Sequence, residues 1–188
     1  MAAPAEISIL NLTGRWIMNK TLSDSSDEIL ALQGVPWLKR KLIGAATVTL
    51  HIKHYKDDAG VEHIDIRQTL TGGIEGNDEN RTLDWTMRDQ INSLFGPVKG
   101  RSRRVNPEEL EVPWLKDHFL PEISEHGTVH AFAESDTEKS GTTWTSNQTW
   151  GFEDVNGERR YTRRIDFYGP EGEHLEKRLV YDYAGSLQ

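Results

Sequence analysis

Cysteine is absent from the 188-residue chain, which excludes disulfide bonds and thiolate metal sites and fits a reducing compartment. Long hydrophobic runs are absent too. No stretch reaches the roughly 18 apolar residues of a membrane span, and the first residues carry no basic segment followed by an apolar one. We therefore expect a soluble, cytoplasmic protein that is not secreted and does not insert stably into a membrane.

Positive charge is scarce as well, because the formal net charge is −8 at pH 7. Nucleic-acid binding draws on Lys and Arg clustered on one face, so we expect no nucleic-acid partner. The sequence also lacks the glycine-rich phosphate-binding motifs, G-x-S-x-G and H-E-x-x-H. His51 and His54 would face opposite sides of a strand. These observations predict no metal site and no cofactor.

What the sequence does contain is a helical pair near its start, over about residues 25–43. Ser25 and Glu28 have the S-x-x-E spacing of a capping box, and Gly34 is suited to end the helix that they begin. Pro36 suits the first position of a second helix, since its φ is already helical. Helices this short are marginal in isolation, so the pair must dock on another part of the fold.

From Gly44 onwards the hydrophobic pattern changes to alternation, which predicts an all-β domain. Sequential antiparallel strands in an open sheet would leave exposed edges, which closure into an up-and-down barrel removes. We expect one domain over residues 1–188, built on ten such strands. The predicted strands span residues 11–20, 45–56, 61–72, 79–89, 97–105, 108–114, 127–134, 142–152, 158–169 and 173–184.

Part of the first hundred residues follows a known order, in which a G-x-W strand leads into two helices with a Leu-Gly-Val-like turn and an Arg-Lys pair. The residues are Gly14, Trp16, Leu32, Gly34, Val35, Arg40 and Lys41, with Gln33 inserted in the turn, followed later by Trp85 to Gln90. This arrangement resembles the intracellular lipid-binding proteins, the fatty-acid-binding-protein-like branch of the calycin (lipocalin-like) superfamily. The resemblance implies a ten-stranded barrel with a two-helix lid between strands 1 and 2, holding a hydrophobic small molecule.

The chain departs from that family where a fatty acid would bind. Family members commonly hold the carboxylate with one arginine on the eighth strand and an R-x-Y pair on the last strand. Here Arg178 takes the place of the last-strand arginine, but Val180 takes that of the tyrosine, and Trp150 lies near that of the other arginine. A fatty acid is therefore not the expected ligand. The predicted aromatic lining, with its few hydrogen-bond donors, instead suits a cyclic or aromatic small molecule.

Alternation along the strands predicts which side chains face the barrel interior. Arg163 shares a face with Tyr161 and Phe167, whereas Arg178 shares one with Glu176 and Asp182. Arg163 is thus the expected interior charge, as a stacked structural group or as a ligand anchor. The predicted ligand-binding residues are Gln68, Arg81, Trp85, Met87, Trp144, Gln148, Trp150, Tyr161, Arg163, Phe167 and Tyr181.

Residues 113–126 have no obvious counterpart in the resembled family. The segment repeats the Val-Pro-Trp-Leu-Lys sequence of the second lid helix, which predicts another helical turn that begins at proline. Its large side chains would pack over a barrel end or line the barrel opening, and would gate entry together with Trp37 and Leu38. These side chains are Trp114, Leu115, Phe119 and Leu120.

Two functions stay open at this point. The first is a carrier that binds a hydrophobic small molecule in the barrel. The second is a cofactor-independent isomerase or cyclase that acts on a hydrophobic biosynthetic intermediate in the same cavity. In the second case the candidate proton-transfer residues are His54, Tyr161, Arg163 and Tyr181, of which His54 is the histidine on an apolar strand face.

Overall fold

Ten antiparallel strands form one sheet that curls into a barrel in the computed structural model, which describes residues 1–72, 74 and 76–187. Gly73, Glu75 and Gln188 lie outside the described residues. The strands are β1 (Gly14–Met18), β2 (Val48–Lys56), β3 (Glu62–Leu70), β4 (Asp78–Thr82), β5 (Arg88–Asn92), β6 (Gly96–Val105), β7 (Thr128–Ser135), β8 (Thr145–Val155), β9 (Glu158–Tyr168) and β10 (His174–Tyr183).

Strands that are consecutive in sequence are hydrogen-bonded neighbours except for β4 and β5, and the first strand, β1, pairs with both β2 and the last strand, β10. This is the up-and-down order that the sequence predicts. Within the described residues no hydrogen-bonded ladder joins β4 to β5, so a slot interrupts the wall there.

Two predicted strands differ from the observed ones. The predicted strand over residues 79–89 is broken into β4 and β5, because the chain turns at Trp85, which has a φ of 60°. The predicted strand over 108–114 is absent. That stretch forms two short 3₁₀ turns, Pro107–Glu109 and Pro113–Leu115, since prolines cannot donate to a sheet.

The lid consists of α1 (Asp27–Leu32) and α2 (Trp37–Ala45), between β1 and β2 as expected. The predicted capping box does not form, and the backbone N–H of Asp27 donates instead to Ser25 Oγ at 3.3 Å. Gly34 ends α1 in a left-handed conformation with a φ of 83°. Arg40 Nη1 donates to Asp27 Oδ2 at 2.6 Å and ties the two helices together.

The inserted segment packs outside the barrel, and it includes α3 (Pro121–His126). The Trp114 indole N–H donates to the Ile165 carbonyl at 3.1 Å, and its ring lies 4.2 Å from the Arg164 guanidinium on the outer row of β9. The expectation that Trp114 and Leu115 lie at a barrel opening is therefore wrong. The segment covers buried polar groups of the wall instead.

Further along the insertion, Phe119, Leu120 and Ile123 pack against the core at the end opposite the lid. Their approach depends on Gly151, because a Cβ there would lie 2.6 Å from Phe119 Cδ1. A short α4 (Thr137–Ser140) links β7 to β8. No helix among the described residues is long and apolar enough to span a bilayer.

Large apolar side chains fill the half of the barrel that lies away from the lid. Trp16 lies at its centre, with ring centroids 5.1 Å from Tyr161 and 6.2 Å from Phe152. Trp16, Trp150, Phe152 and Tyr161 are fully buried. Because these rings occupy the lower interior, the barrel space that the described residues leave open to a ligand lies between the rings and the lid.

Candidate functional site

A cavity of about 220 Å³ lies beneath the lid, above the aromatic core. Its roof comes from α1 and the turn after it, and its walls come from both sides of the β4–β5 slot and from β8 and β9. The lining residues are Ser26, Ile29, Leu30, Gln33, Gln68, Asn77, Glu79, Arg81, Gln90, Asn92, Leu94, Phe95, Val98, Gly100, Ala133, Trp144, Ser146, Gln148 and Ile165.

An ion pair on β4 forms the polar floor of this cavity. Arg81 donates to Glu79 Oε2 from Nε at 3.2 Å and from Nη2 at 2.8 Å, and it reaches Ser102 Oγ from Nη1 at 3.3 Å. Burial opposes ionisation of Glu79, but the charges of Arg81 and Arg163 outweigh it and hold the pKa of Glu79 below its ordinary value. Glu79 is therefore ionised at neutral pH.

Arg163 lies directly behind this floor and is only 4% exposed. Its Nε donates to the Tyr161 hydroxyl at 2.9 Å, and its Nη1 is 3.7 Å from Glu79 Oε2. The guanidinium stacks on Trp150, with Cζ 4.0 Å from the ring centroid. Its Nη2 is buried and has no hydrogen-bond partner among the described residues. Two guanidinium groups thus face one carboxylate, which leaves an excess of one positive charge at the floor.

Two tyrosines accompany Arg163 beneath the cavity. Burial raises the pKa of both Tyr161 and Tyr181, and the nearby Arg163 charge offsets that effect only in part. Both phenols therefore stay protonated well above neutral pH. Their ring centroids are 5.3 Å apart, so they form one buried cluster with the guanidinium.

The wall near the lid is apolar and aromatic. Trp144 packs its ring edge-on against Phe95 at 5.3 Å and stacks on Phe167 at 5.9 Å, in a cluster that also includes Ile29 of the lid. This cluster seats the lid on the barrel, which explains how helices too short to persist alone are held in place.

The predicted ligand-binding residues fall into three groups. Gln68, Arg81, Trp144 and Gln148 line the cavity. Trp150, Tyr161, Arg163, Phe167 and Tyr181 are buried side chains behind the lining. Arg178 is not one of the predicted ligand-binding residues, and it lies on the outer face, where its Nη1 is 3.5 Å from Glu153 Oε2.

The third group consists of Trp85 and Met87. Their predicted position is wrong, because these two side chains do not face the interior. The Trp85 ring lies outside the barrel, with its centroid 4.2 Å from the Arg101 guanidinium and 4.3 Å from that of Arg103. Met87 is 40% exposed. The physical reason is the break between β4 and β5, since side chains alternate between the inner and outer faces of the barrel only within a continuous strand.

His54 is committed to a network at the end opposite the lid. Its Nδ1 accepts from the Leu12 backbone N–H at 3.1 Å, so its proton lies on Nε2, which donates to Glu62 Oε1 at 2.7 Å. Arg104 also donates to Glu62. Both ring nitrogens of His54 thus have partners, and the ring does not line the cavity.

Sequence reasoning missed Glu79 and Gln33. Glu79 has the same strand parity as Arg81, so alternation could have placed it inside. In the sequence, Gln33 stands out only as an insertion in the lid turn, and no local pattern indicates its burial beneath the lid.

One group of potential metal ligands occurs in the described part of the chain. It lies on the outer face of the barrel and does not line the cavity. Asp166, His174 and Glu176 bring ligand atoms within 4.8 Å of one another, and His174 is already hydrogen-bonded to Asp166 at 2.6 Å. The charged and amide groups that line the cavity are carboxamides, one carboxylate and one arginine, which do not form a set of metal ligands.

Comparison with solved structures identifies the fold. The fatty-acid-binding protein 1 of Echinococcus granulosus superposes with a TM-score of 0.53 at 11% identity, over 93% of this chain and 98% of that one. The fluorescent protein UnaG superposes with a TM-score of 0.53 at 16% identity, over 92% of this chain and 97% of that one. The barrel is therefore of the fatty-acid-binding-protein-like calycin type.

Sequence comparison identifies relatives, although no family model matches the chain. A protein named probable pericyclase scpY, from Mollisia scopiformis, is 35% identical over 185 residues, covering 98% of this chain and 95% of the relative. A protein named pericyclase pydY, from Acremonium sp., is 32% identical over 187 residues, covering 98% of each. At this identity and coverage, the chain belongs to the same protein family as scpY and pydY.

Proposed function

We propose that this protein is a cofactor-independent pericyclase, which folds a flexible unsaturated substrate inside the barrel and promotes its closure to a ring. Support comes from the names of two relatives that match over nearly the whole chain. The observation that carries the proposal is a small cavity beneath the lid, with an aromatic cluster in one wall and a cationic floor.

Pericyclic ring closure makes modest demands on side-chain chemistry. Bonds form and break in one cyclic array of electrons, so no proton is transferred and nothing is oxidised or reduced. The protein has to restrict a flexible chain to the reactive conformation, which is worth up to about 7–11 kcal/mol in well-oriented systems. The aromatic wall around Trp144 and the lid above it suit that role.

The charged floor of the cavity makes the second contribution to the proposed rate acceleration. A carbonyl conjugated with one reacting component becomes more electrophilic when its oxygen accepts strong hydrogen bonds, and preorganised donors stabilise the charge that develops there. Arg81 lines the cavity, and the excess positive charge contributed by Arg163 stands behind it. We infer that a substrate oxygen binds at Arg81, with Gln148 and Gln68 as neighbouring polar groups.

The carrier function predicted first from the sequence shares the binding step and differs in turnover. It stays as the second candidate because the aromatic and aliphatic side chains of the cavity would hold a hydrophobic molecule whether or not it reacts. The isomerase alternative is retained in a modified form, since pericyclic closure does not require His54 to move a proton.

The test uses a synthetic linear ketone in which a conjugated diene is tethered to an enone. Purified protein should convert it to a cyclic isomer of the same mass, measured by chromatography and by loss of diene absorbance, faster than buffer does. Arg81→Met should reduce the acceleration at least tenfold, about 1.4 kcal/mol, whereas Arg178→Met on the outer face should not. Recovery of the bound ketone unchanged would support the carrier and contradict the pericyclase.

A further inference from the structure

Gln33 is an inserted residue that the lid buries over the cavity. Of the buried lid side chains, Ile29, Gln33 and Val35, only Gln33 is polar, and it is 7% exposed. It lines the cavity roof. The backbone N–H of Gln33 donates to the Ile29 carbonyl at 3.0 Å. The Gln33 carboxamide is not among the fully buried polar groups that lack a partner, which fits a side chain that is accessible from the cavity it lines.

The second polar group at the lid end of the cavity is the indole N–H of Trp144. The indole Nε1 of Trp144 is buried without a hydrogen-bond acceptor in the described part of the chain. Trp144 is 3% exposed and belongs to the apolar cluster that seats α1. Leaving a buried donor unsatisfied costs roughly 1–3 kcal/mol, so this arrangement needs a compensating role.

Both groups lie at the lid end, whereas the charged floor formed by Glu79 and Arg81 lies at the other end of the cavity. The wall carries polar side chains, such as Gln148 and Ser146, as well as apolar ones, such as Phe95 and Ile165. Polar groups are therefore available at both ends of the cavity. A purely hydrocarbon tail directed at the lid would leave the Gln33 carboxamide and the Trp144 N–H unpaired.

We propose that the lid end is a second polar subsite, in which Gln33 and Trp144 bind a carbonyl-containing group of the substrate, such as an amide. The inference rests on the proposed function of the cavity and adds a substrate class to it. The substrate then carries oxygen at both ends of an unsaturated hydrocarbon segment. A carbonyl oxygen accepts from Trp144 Nε1–H, while the Gln33 carboxamide can both donate and accept. Because Gln33 belongs to the lid, this contact also couples lid closure to a correctly positioned substrate.

Binding of simple probes tests the subsite without knowledge of the natural substrate. The probes are monoamides of linear dicarboxylic acids, from suberic to dodecanedioic acid, each compared with the fatty acid of the same chain length. The carboxylate directs one end to the cationic floor, so the pair differs only in the group presented to the lid. Calorimetric titration of the wild-type protein should show tighter binding of the monoamide, by about five-fold at the best chain length.

Two variants remove the proposed contacts with little change of shape, Gln33→Met and Trp144→Phe. Each should reduce the ratio of the monoamide affinity to the fatty-acid affinity, both measured on the same variant, to about two-fold or less. An unchanged midpoint of urea denaturation should show that the barrel of each variant is intact. Ala31→Met, at an exposed position of the same helix, is the matched control and should keep the full preference.

The outcomes separate the two proposals. Equal binding of the paired probes by the wild-type protein, or a preference that survives in both variants, would overturn the lid-end subsite and leave the pericyclase proposal standing. Failure of the wild-type protein to bind either probe at any chain length would overturn the assignment of this cavity as the substrate site, and the subsite with it.

Discussion

Replacing Arg163 by methionine should reduce turnover without reducing the free energy of unfolding. The charge of Arg163 stands behind the Glu79–Arg81 pair, so a substrate oxygen bound at Arg81 would feel it across the interior. For a full negative charge at a separation of roughly 7 Å and an effective dielectric constant of about 20, such an interaction would be worth about 2 kcal/mol, and the partial charge that develops on a carbonyl oxygen reduces it to about 1 kcal/mol. Loss of that interaction should lower kcat/KM about five-fold.

The stability expectation follows from the same contacts. Arg163→Met removes a hydrogen bond to Tyr161 and a stacked cation on Trp150. It also removes a desolvated charge whose Nη2 has no partner, while Arg81 continues to neutralise Glu79. Replacement of a buried charge by an apolar group of similar bulk is often neutral or stabilising. The free energy of unfolding should change by less than about 1 kcal/mol or increase.

Steady-state kinetics with the tethered diene ketone and urea denaturation give the two readouts. Arg178→Met is the control, because Arg178 contacts Glu153 on the outer face. It should leave kcat/KM within about two-fold of the wild-type value. If Arg163→Met destabilised the fold by several kcal/mol while kcat/KM held, Arg163 would be a structural arginine and the electrostatic role assigned to it would be wrong.

Two further predictions concern stability. Hydrogen bonds from His54 and Arg104 hold the pKa of Glu62 at about 2, against the opposing effect of burial. Its contribution, about 3 kcal/mol, is therefore present above pH 4.5 and lost as the pH falls towards 2, so Glu62→Gln should flatten acid denaturation in that range. Gly151→Ala should cost about 1–3 kcal/mol because its Cβ would press on Phe119. Gly44→Ala, which meets no atom within 4 Å, should not destabilise, as urea denaturation would show.

The lid and the barrel were predictable because their signals are local. Proline and glycine delimit the lid helices, and strict alternation along β2, β3, β8, β9 and β10 fixes both strand type and inward face. The break between β4 and β5 was not predictable in this way. Trp85 leaves the strand path because its ring stacks on two arginines of β6, a contact between residues separated in sequence.

The sequence predicts which side chains of the candidate site face the barrel interior, but not how deep the cavity is. Alternation placed Arg163 and Tyr161 inside the barrel, yet the period of a strand does not tell how far along its axis the interior is filled. Trp16 and Phe152 pack around Tyr161 and raise the floor of the cavity to the level of Arg81. Strand alternation likewise gives no sign that Arg164, on the outer face of β9, is buried, because the burial comes from the inserted segment that covers it.

The pH dependence of turnover distinguishes pericyclic closure from proton transfer at this site. The pKa of Glu79 is lowered from 4.5, since Arg81 and Arg163 outweigh its burial. The pKa of Tyr161 and that of Tyr181 are raised from 10, chiefly by burial. The floor therefore keeps one charge state from about pH 5.5 to 9.5, and kcat/KM should be constant across that range. Catalysis by a histidine would instead give an inflection near pH 6.5. An inflection that disappears in His54→Asn would return the protein to acid–base isomerisation, and a profile flat in both proteins supports ring closure driven by confinement and the cationic floor.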